Sequence, residues 1–271
     1  MEERRSEERG RLSAYFNPLY KALRSSADRA HTFLGVVGIF LVAGLIVAAI
    51  GTWSFVEVAE HVTSGGTQAF DESVIRWMGA HHTKTLDAIM IELTALGTGT
   101  VVMMIVAVAG LFLALTQHRY SAMLLVASTL GGLVLNGVLK LGFNRPRPSI
   151  FLPEVHAVSS SFPSGHAMSA AIVYGTVAYL AARLHKRMWA RFLVMFAAVI
   201  ITVLICVSRL YLGVHYPSDV IAGVAIGLAW ASFCMATLEA IQKFGVRRDP
   251  EILQHEKPAP GRSPAVASKR G

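Results

Sequence analysis

Long stretches without charge limit what this chain can fold into. Six stretches of at least 17 residues are free of Asp, Glu, Lys and Arg, at positions 30–56, 93–118, 120–139, 155–182, 192–208 and 220–238. A bilayer core is crossed by about 20 apolar residues in a helix, and a charge at the centre of such a helix costs about 2.5 to 3.5 kcal/mol in insertion measurements. The pattern therefore predicts an all-α bundle of six transmembrane helices.

The composition excludes an ordinary water-soluble or disordered protein. Only 15% of the residues are charged and 54% are hydrophobic, whereas soluble domains carry roughly 25% charged residues. A polar segment precedes the first apolar stretch, and that stretch is longer than the apolar region of a signal peptide. We therefore expect the first stretch to remain in the protein as a membrane anchor.

The basic excess is a topology signal. The net charge is +8, but the basic residues flank the apolar stretches and form no single stripe, which argues against nucleic acid as a partner. With six spans both termini lie on one side, and 19 of the 25 Lys and Arg residues fall there. Because basic residues accumulate on the cytoplasmic side, we expect a cell-membrane protein with cytoplasmic termini.

Three regions are predicted from these features. They are a cytoplasmic N-terminal segment over 1–31, a six-span domain over 32–242 and a cytoplasmic tail over 243–271. The tail is predicted to be disordered because prolines lie among its charges and no apolar period is present. The mixed segment 57–92, between the first two spans, is typical of an interfacial amphipathic helix. The oligomeric state is left open.

Ionisable residues are concentrated at span ends that are predicted to face the extracytoplasmic side. They are Lys140, Arg147, His166, Arg209, His215 and Asp219. Charges near a membrane are costly unless they are paired or used. Because most of these groups are potential cations, the arrangement indicates an anion-binding site, and phosphate fits best.

Two helix starts carry the chemistry of this site. Pro163 and Ser164 are a helix-start signal, a helix N-terminus presents free N–H groups to an anion, and Gly165 allows the anion to approach the backbone. Asp219 follows His215 by four positions, within the first turn of the next helix. A carboxylate behind an imidazole fixes the tautomer and leaves the other ring nitrogen nucleophilic.

These residues together resemble a known family. The pattern is Lys140 with Arg147-Pro148, then Pro163-Ser164-Gly165-His166, then Ser208-Arg209 with His215 and Asp219. It is similar to the three-part motif of the type 2 phosphatidic acid phosphatase superfamily, and all three parts are present in order at span ends. The resemblance extends over roughly residues 30 to 242.

The resemblance implies a role for each position. His215 would attack phosphorus and become a phosphohistidine, Asp219 would hold its ring, and His166 would protonate the leaving oxygen. The phosphate oxygens would be bound by Lys140, Arg147, Arg209, Ser164 and the amide of Gly165. Fixed cations can replace a metal, so neither a metal nor another cofactor is expected. Arg145 is a second arginine that could share the phosphate contact.

The implied activity is hydrolysis of a lipid phosphate on the extracytoplasmic face. Phosphatidic acid, phosphatidylglycerophosphate and polyprenyl diphosphate are all compatible substrates, because an amphiphile could keep its tails in lipid while its phosphate enters the site. Transfer of the phosphate group to an acceptor fits the same motifs. A vanadium haloperoxidase and a non-enzymatic transporter are weaker alternatives, the former because those relatives are soluble.

Other histidines and the cysteines are assigned no function. His81, His82 and His156 lie in predicted outer loops and are expected to be solvated. Cys206 and Cys234 lie inside apolar stretches, where packing is the expected role. Asn136 is expected to make a contact between helices.

Overall fold

The computed structural model describes residues 41–149 and 160–245. The predicted segment 1–31, most of the predicted tail and His156 lie outside these residues. The same is true of the first part of the first and fourth predicted spans, residues 30–40 and 155–159. Those expectations stay predictions.

Eight α-helices make up the part of the chain that the structure describes. They are α1 (Leu41–Thr63), α2 (Gln68–Gly79), α3 (Lys84–Ala95), α4 (Gly99–Leu115), α5 (Arg119–Gly142), α6 (Gly165–Leu184), α7 (Met188–Tyr211) and α8 (Pro217–Gly245). No β-strand occurs within residues 41–149 and 160–245. The all-α prediction is confirmed.

Five of these helices, α1, α5, α6, α7 and α8, are long and apolar enough to cross a membrane. Helices α3 and α4 meet at an angle of 46°, and the pair makes a sixth, bent span if the two helices are counted as one. The chain is therefore a multi-span membrane protein. Uncharged sequence begins only at residue 93, after the charges of α3, so the sequence pattern placed this span at 93–118 and did not reveal the break.

The segment predicted as one interfacial helix is built differently. Residues 57–92 contain the end of α1, all of α2 and most of α3. Helix α2 is amphipathic: Asp71 and Ile75 are fully buried against the protein, whereas Phe70 and Trp77 are exposed. A fully buried aspartate is unexpected on this helix. Its neighbour Glu72, by contrast, is partly exposed and pairs with Arg76 of the same helix.

Helix α6 lies at the centre of the bundle and packs against α5, α7 and α8. Its buried residues include many small side chains, such as Ala167, Ala170 and Ala171. The outer surface carries large exposed apolar side chains, among them Leu111 and Phe192. Such a surface is costly in water but is expected where a helix faces lipid.

Two glycines of α8 set the distance to α6. A Cβ at Gly223 would lie 2.6 Å from the carbonyl oxygen of Ser164, and a Cβ at Gly227 would lie 2.8 Å from that of Met168. Because these neighbours are backbone atoms, only a residue without a Cβ fits there. The small-residue pair expected from this spacing in membrane helices thus brings the starts of α6 and α8 together.

We expect Gly227→Ala to destabilise the protein by about 1 to 3 kcal/mol, the usual effect of overpacking a tight contact. The measurement is the midpoint of thermal unfolding in detergent, which should fall by several degrees, since 1 kcal/mol corresponds to about 2 to 4 °C at this size. Gly137→Ala on α5 is the matched control, because a Cβ at Gly137 meets no atom within 4 Å. Equal midpoints for the two variants would contradict this account of the contact.

Candidate active site

The turn between α7 and α8 carries the first histidine of the site. Gly213 adopts a φ of 63°, a backbone conformation that favours glycine, and Pro217 begins α8. Between them lies His215, whose side chain is only 2% exposed. Arg209 lies in the last turn of α7, so one short segment delivers both side chains.

The start of α6 provides the second histidine. The side chain of Ser164 caps the helix by accepting a hydrogen bond from Ala167 N at 3.5 Å, which leaves the hydroxyl proton for another partner. The Ser164 N–H donates to the carbonyl oxygen of Asp219 at 2.9 Å. This bond connects the first turns of α6 and α8 and places His166 on the same side of the bundle as His215.

The predicted constellation comes together in space. His166 interacts electrostatically with His215, Arg209, Lys140 and Arg147. These residues come from α5, the connection after α5, α6, α7 and the turn before α8. Residues that are up to 75 positions apart in sequence thus form one positively charged cluster at a single end of the bundle.

Each cation of this cluster donates a hydrogen bond to a neutral oxygen. Lys140 Nζ donates to the carbonyl of Ser160 at 3.1 Å, and Arg147 Nη1 donates to the carbonyl of Val214 at 3.0 Å. Arg209 Nη1 donates to Thr94 Oγ1 at 2.8 Å, while its buried Nε has no hydrogen-bond partner among the described residues. A buried cationic donor without an acceptor is rare in proteins and fits a site that receives an anion.

The pair of His215 and Asp219 has the expected spacing. Asp219 Oδ2 lies 3.6 Å from His215 Nδ1 and accepts a hydrogen bond from Tyr216 N at 2.9 Å. His215 Nδ1 has no hydrogen-bond partner among the described residues, so the two side chains face each other at a distance slightly longer than a hydrogen bond. Catalytic hydrogen bonds are often long before substrate binds.

The environment keeps His215 neutral. Burial lowers the pKa of His215 to about 4, and the positive charges of Arg209 and Arg147 act in the same direction against the attraction of Asp219. The imidazole is therefore unprotonated at neutral pH. An unprotonated ring nitrogen is the form that a nucleophilic histidine needs.

Arg145 differs from Arg147 in its partners. Arg145 Nη1 donates to Asp219 Oδ1 at 2.6 Å and to Ser218 Oγ at 2.7 Å, and its Nη2 donates to Asp71 Oδ2 at 2.8 Å. Burial opposes the charge, yet the two carboxylates raise the pKa of Arg145 above its ordinary value, whereas burial lowers the pKa of Arg147. The sequence suggested that Arg145 could share the phosphate contact, but its guanidinium is bound to Asp71 and Asp219.

Three residues near the site were not singled out from the sequence: Asp71, Thr94 and Gly97. Thr94 holds Arg209, and a Cβ at Gly97 would lie 3.0 Å from His166 Cδ2. The break between α3 and α4 also supplies the Leu96 carbonyl, which accepts from Tyr174 OH at 2.8 Å. The Thr and Gly residues of 94–100, inside an apolar stretch, were a signal that could have located the break.

Two further expectations concern the other histidines and the cysteines. His82 was expected to be solvated, and the residue is exposed. Its ring also stacks on Tyr211 with centroids 4.2 Å apart and lies 3.1 Å from Asp87, because the end of α7 packs against the start of α3. Cys206 and Cys234 form no disulfide and are partly buried in their helices, as expected for packing.

Comparison with known proteins agrees with this arrangement. The family model of the PAP2 superfamily matches residues 121–243. Phosphatidylglycerophosphatase B from Bacillus subtilis (strain 168) is 31% identical over 196 residues, which cover 70% of this chain and 94% of the relative. An undecaprenyl-diphosphatase from Sulfolobus acidocaldarius is 32% identical over 183 residues, covering 65% and 82% respectively.

A solved structure has the same fold. The crystal structure of a transmembrane PAP2 type phosphatidylglycerolphosphate phosphatase from Bacillus subtilis superposes with a TM-score of 0.68 at 30% sequence identity. The match covers 73% of this chain and 98% of that chain. It therefore includes essentially the whole of the other protein.

We expect the stability of the protein to depend on the protonation of His215. Because the folded-state pKa of His215 is about 4 and the unfolded value is about 6.5, stability should be lost as the pH falls from about 6.5 towards 4, by about 3 kcal/mol in total. The measurement is the thermal midpoint as a function of pH for the wild type and for His215→Gln, which cannot gain a proton. A variant with the same pH dependence as the wild type would show that His215 is not buried in the neutral form.

Proposed function

The chain belongs to the PAP2 superfamily, and we propose that it hydrolyses a phosphomonoester or diphosphate of a lipid head group through a phosphohistidine. The observation that carries this proposal is the cluster of Lys140, Arg147 and Arg209 around two histidines, with a buried Arg209 Nε that finds no acceptor within residues 41–149 and 160–245. Phosphoryl transfer depends mainly on positioning and on stabilising charge at the phosphate oxygens. Such a cluster supplies both.

The mechanism follows from the atoms that are available. His215 Nδ1 faces Asp219, so the other ring nitrogen, Nε2, attacks phosphorus while the bond to the leaving oxygen breaks. His166 gives its proton to that oxygen and later removes a proton from the water that cleaves the phosphorus–nitrogen bond. The products are the dephosphorylated lipid and inorganic phosphate, and both histidines return to their starting forms.

The phosphate oxygens are bound by the cations and by the start of α6. In this proposal Lys140, Arg147 and Arg209 bind the non-bridging oxygens together with the Ser164 hydroxyl and the Gly165 N–H. A helix N-terminus adds partial positive charge to the same place. Removing one well-aimed donor of this kind typically costs about 2.7 to 4 kcal/mol of transition-state stabilisation.

The site lies at the ends of membrane-spanning helices, which favours an amphiphilic substrate. The named relatives act on phosphatidylglycerophosphate and undecaprenyl diphosphate according to their names, and we include phosphatidic acid among the candidates. In each case the lipid tails can stay in the bilayer while the phosphate enters the charged cluster. A soluble phosphate ester lacks this advantage.

The assay is phosphate release by the purified protein in detergent over a panel of these lipids, with EDTA present. We expect release by the wild type, since fixed cations take the place of a metal, and loss of at least about 10³-fold in His215→Ala, which lacks the nucleophile. His61→Ala is the matched control, because His61 is exposed on α1 and bonds within its own helix. Release also decides against obligatory transfer, because no acceptor is added.

His166→Ala tests the acid–base assignment in the same assay. It should lower turnover by about 10²- to 10⁴-fold while substrate still binds, because the cations remain. Unchanged turnover in this variant would remove His166 from the mechanism. Full activity in His215→Ala, or a complete loss in EDTA that Mg²⁺ restores, would contradict the proposed chemistry.

We also propose that the site faces the extracytoplasmic side and that both termini are cytoplasmic, on the basis of the distribution of Lys and Arg. Ser64 lies in the turn after α1, on the side of the site, and Lys186 lies in the connection between α6 and α7. In intact cells a membrane-impermeant thiol reagent should label Ser64→Cys, and it should label Lys186→Cys only after permeabilisation. The unsubstituted protein is the control for Cys206 and Cys234, and the opposite labelling pattern would invert the proposed orientation.

A further inference from the structure

We infer that Asp71 of α2 is a positioning residue, which holds Asp219 towards His215 by acting through Arg145 and Ser218. The inference rests on the proposed function of His215 as the nucleophile. It assigns to the connection between the first two spans a part in the reaction that the motif residues do not reveal.

Asp71 is bound from several directions. Its Oδ1 accepts from the N–H of Ser218 at 3.0 Å, and its Oδ2 accepts from the Ser218 hydroxyl and from Arg145 Nη2, the latter at 2.8 Å. Both Asp71 and Asp219 are fully buried. A buried carboxylate is costly unless it is paired and hydrogen-bonded, so these contacts determine where α2 lies against the first turn of α8.

Arg145 connects the two carboxylates. Its Nη1 donates hydrogen bonds to Asp219 and Ser218. Its Nη2 donates to Asp71 and, at the longer distance of 3.4 Å, to Gln68. The guanidinium carbon also lies 4.3 Å from the centre of the Tyr216 ring. This planar group is therefore fixed on both sides, and it fixes Asp219 Oδ1 so that Oδ2 is directed towards His215.

The charges of Asp71, Arg145 and Asp219 do not cancel. Two carboxylates share one guanidinium, which leaves one net negative charge next to His215. The charged and titratable groups that act on His215 from the other elements are Arg209, Arg147 and His166, all cationic or neutral. Asp219 supplies the negative charge that balances them. Without Asp71, the whole charge of Arg145 would act on Asp219 and weaken its attraction for the imidazole.

This balance matters when the intermediate forms. Attack by neutral His215 on phosphorus leaves a proton on Nδ1, so the ring carries positive charge until the phosphorus–nitrogen bond breaks. A negative carboxylate near Nδ1 stabilises that charge. Asp71 therefore contributes to turnover without contacting the substrate, and it is not expected to contribute to substrate binding.

The experiment compares Asp71→Asn with Glu72→Gln. Both replace a carboxylate of α2 by its amide, but Glu72 points away from the site and pairs with Arg76 and Gln68 of its own helix. We expect Asp71→Asn to lower kcat by about 10- to 100-fold, the effect of removing supporting groups at metal sites, with KM nearly unchanged. The acid limb of the pH–rate profile should move to lower pH, because loss of a negative charge disfavours the protonated imidazole. Glu72→Gln should match the wild type in kcat, in KM and in the pH–rate profile.

Ser218→Ala provides a second test that does not depend on the folding of Asp71→Asn. It removes the hydroxyl that joins Asp71 to Arg145, so kcat should fall in the same way, and the double variant should fall less than the product of the single effects. A wild-type kcat and pH profile in both single variants would overturn the inference. A fall in kcat without any movement of the pH profile would also overturn it, since that indicates a merely structural role.

A readout without turnover separates this inference from the proposed function. The loss of thermal stability that begins near pH 6.5 and ends near pH 4 reports protonation of His215. Its lower end should shift to lower pH in Asp71→Asn and stay in place in Glu72→Gln. If the wild type releases no phosphate from any lipid, the proposed function fails, while this shift still decides whether Asp71 acts on His215. An unshifted curve would reject the inference even in an active enzyme.

Discussion

The close contact between α6 and α8 determines the geometry of the whole site. Gly223 and Gly227 let the two backbones approach, and the bond from Ser164 N to the Asp219 carbonyl fixes the helices in register at their first turns. His166 begins one helix and His215 precedes the other. A separation larger by one methyl group would move both rings apart, and the cations that surround them come from elements that pack on this pair.

The arginines of the site differ in the partners that their buried guanidinium groups find. Arg145 has carboxylate partners on two sides, so its charge is used within the protein. Arg209 donates to a neutral oxygen of Thr94, and its buried Nε has no acceptor among the described residues, so its charge is available to an incoming anion. Since a buried charge must find a counterion or a dipole, the distribution of carboxylates around Asp219 decides which cations can bind phosphate.

The sequence was sufficient for the spans and for the motif residues, because charges are excluded from lipid-facing helices and because each motif lies at a span end. It was insufficient where burial depends on tertiary packing. Asp71 and Glu72 are adjacent acids on one helix, and only the contact with Arg145 and Ser218 distinguishes them. Arg145 and Arg147 both precede proline, so their different partners could not be inferred. The bend at 96–98 was obscured by the charges of α3, which ended the uncharged stretch.

The bend between α3 and α4, in the second span, has a further consequence. A continuous helix would bond its own carbonyl groups and carry a side chain at every position along the wall of the site. The interruption frees the Leu96 carbonyl for Tyr174 and leaves bare backbone beside the imidazole of His166. On this side the ring thus lies close to main chain, which has no rotamers, and a side chain at position 97 would collide with it.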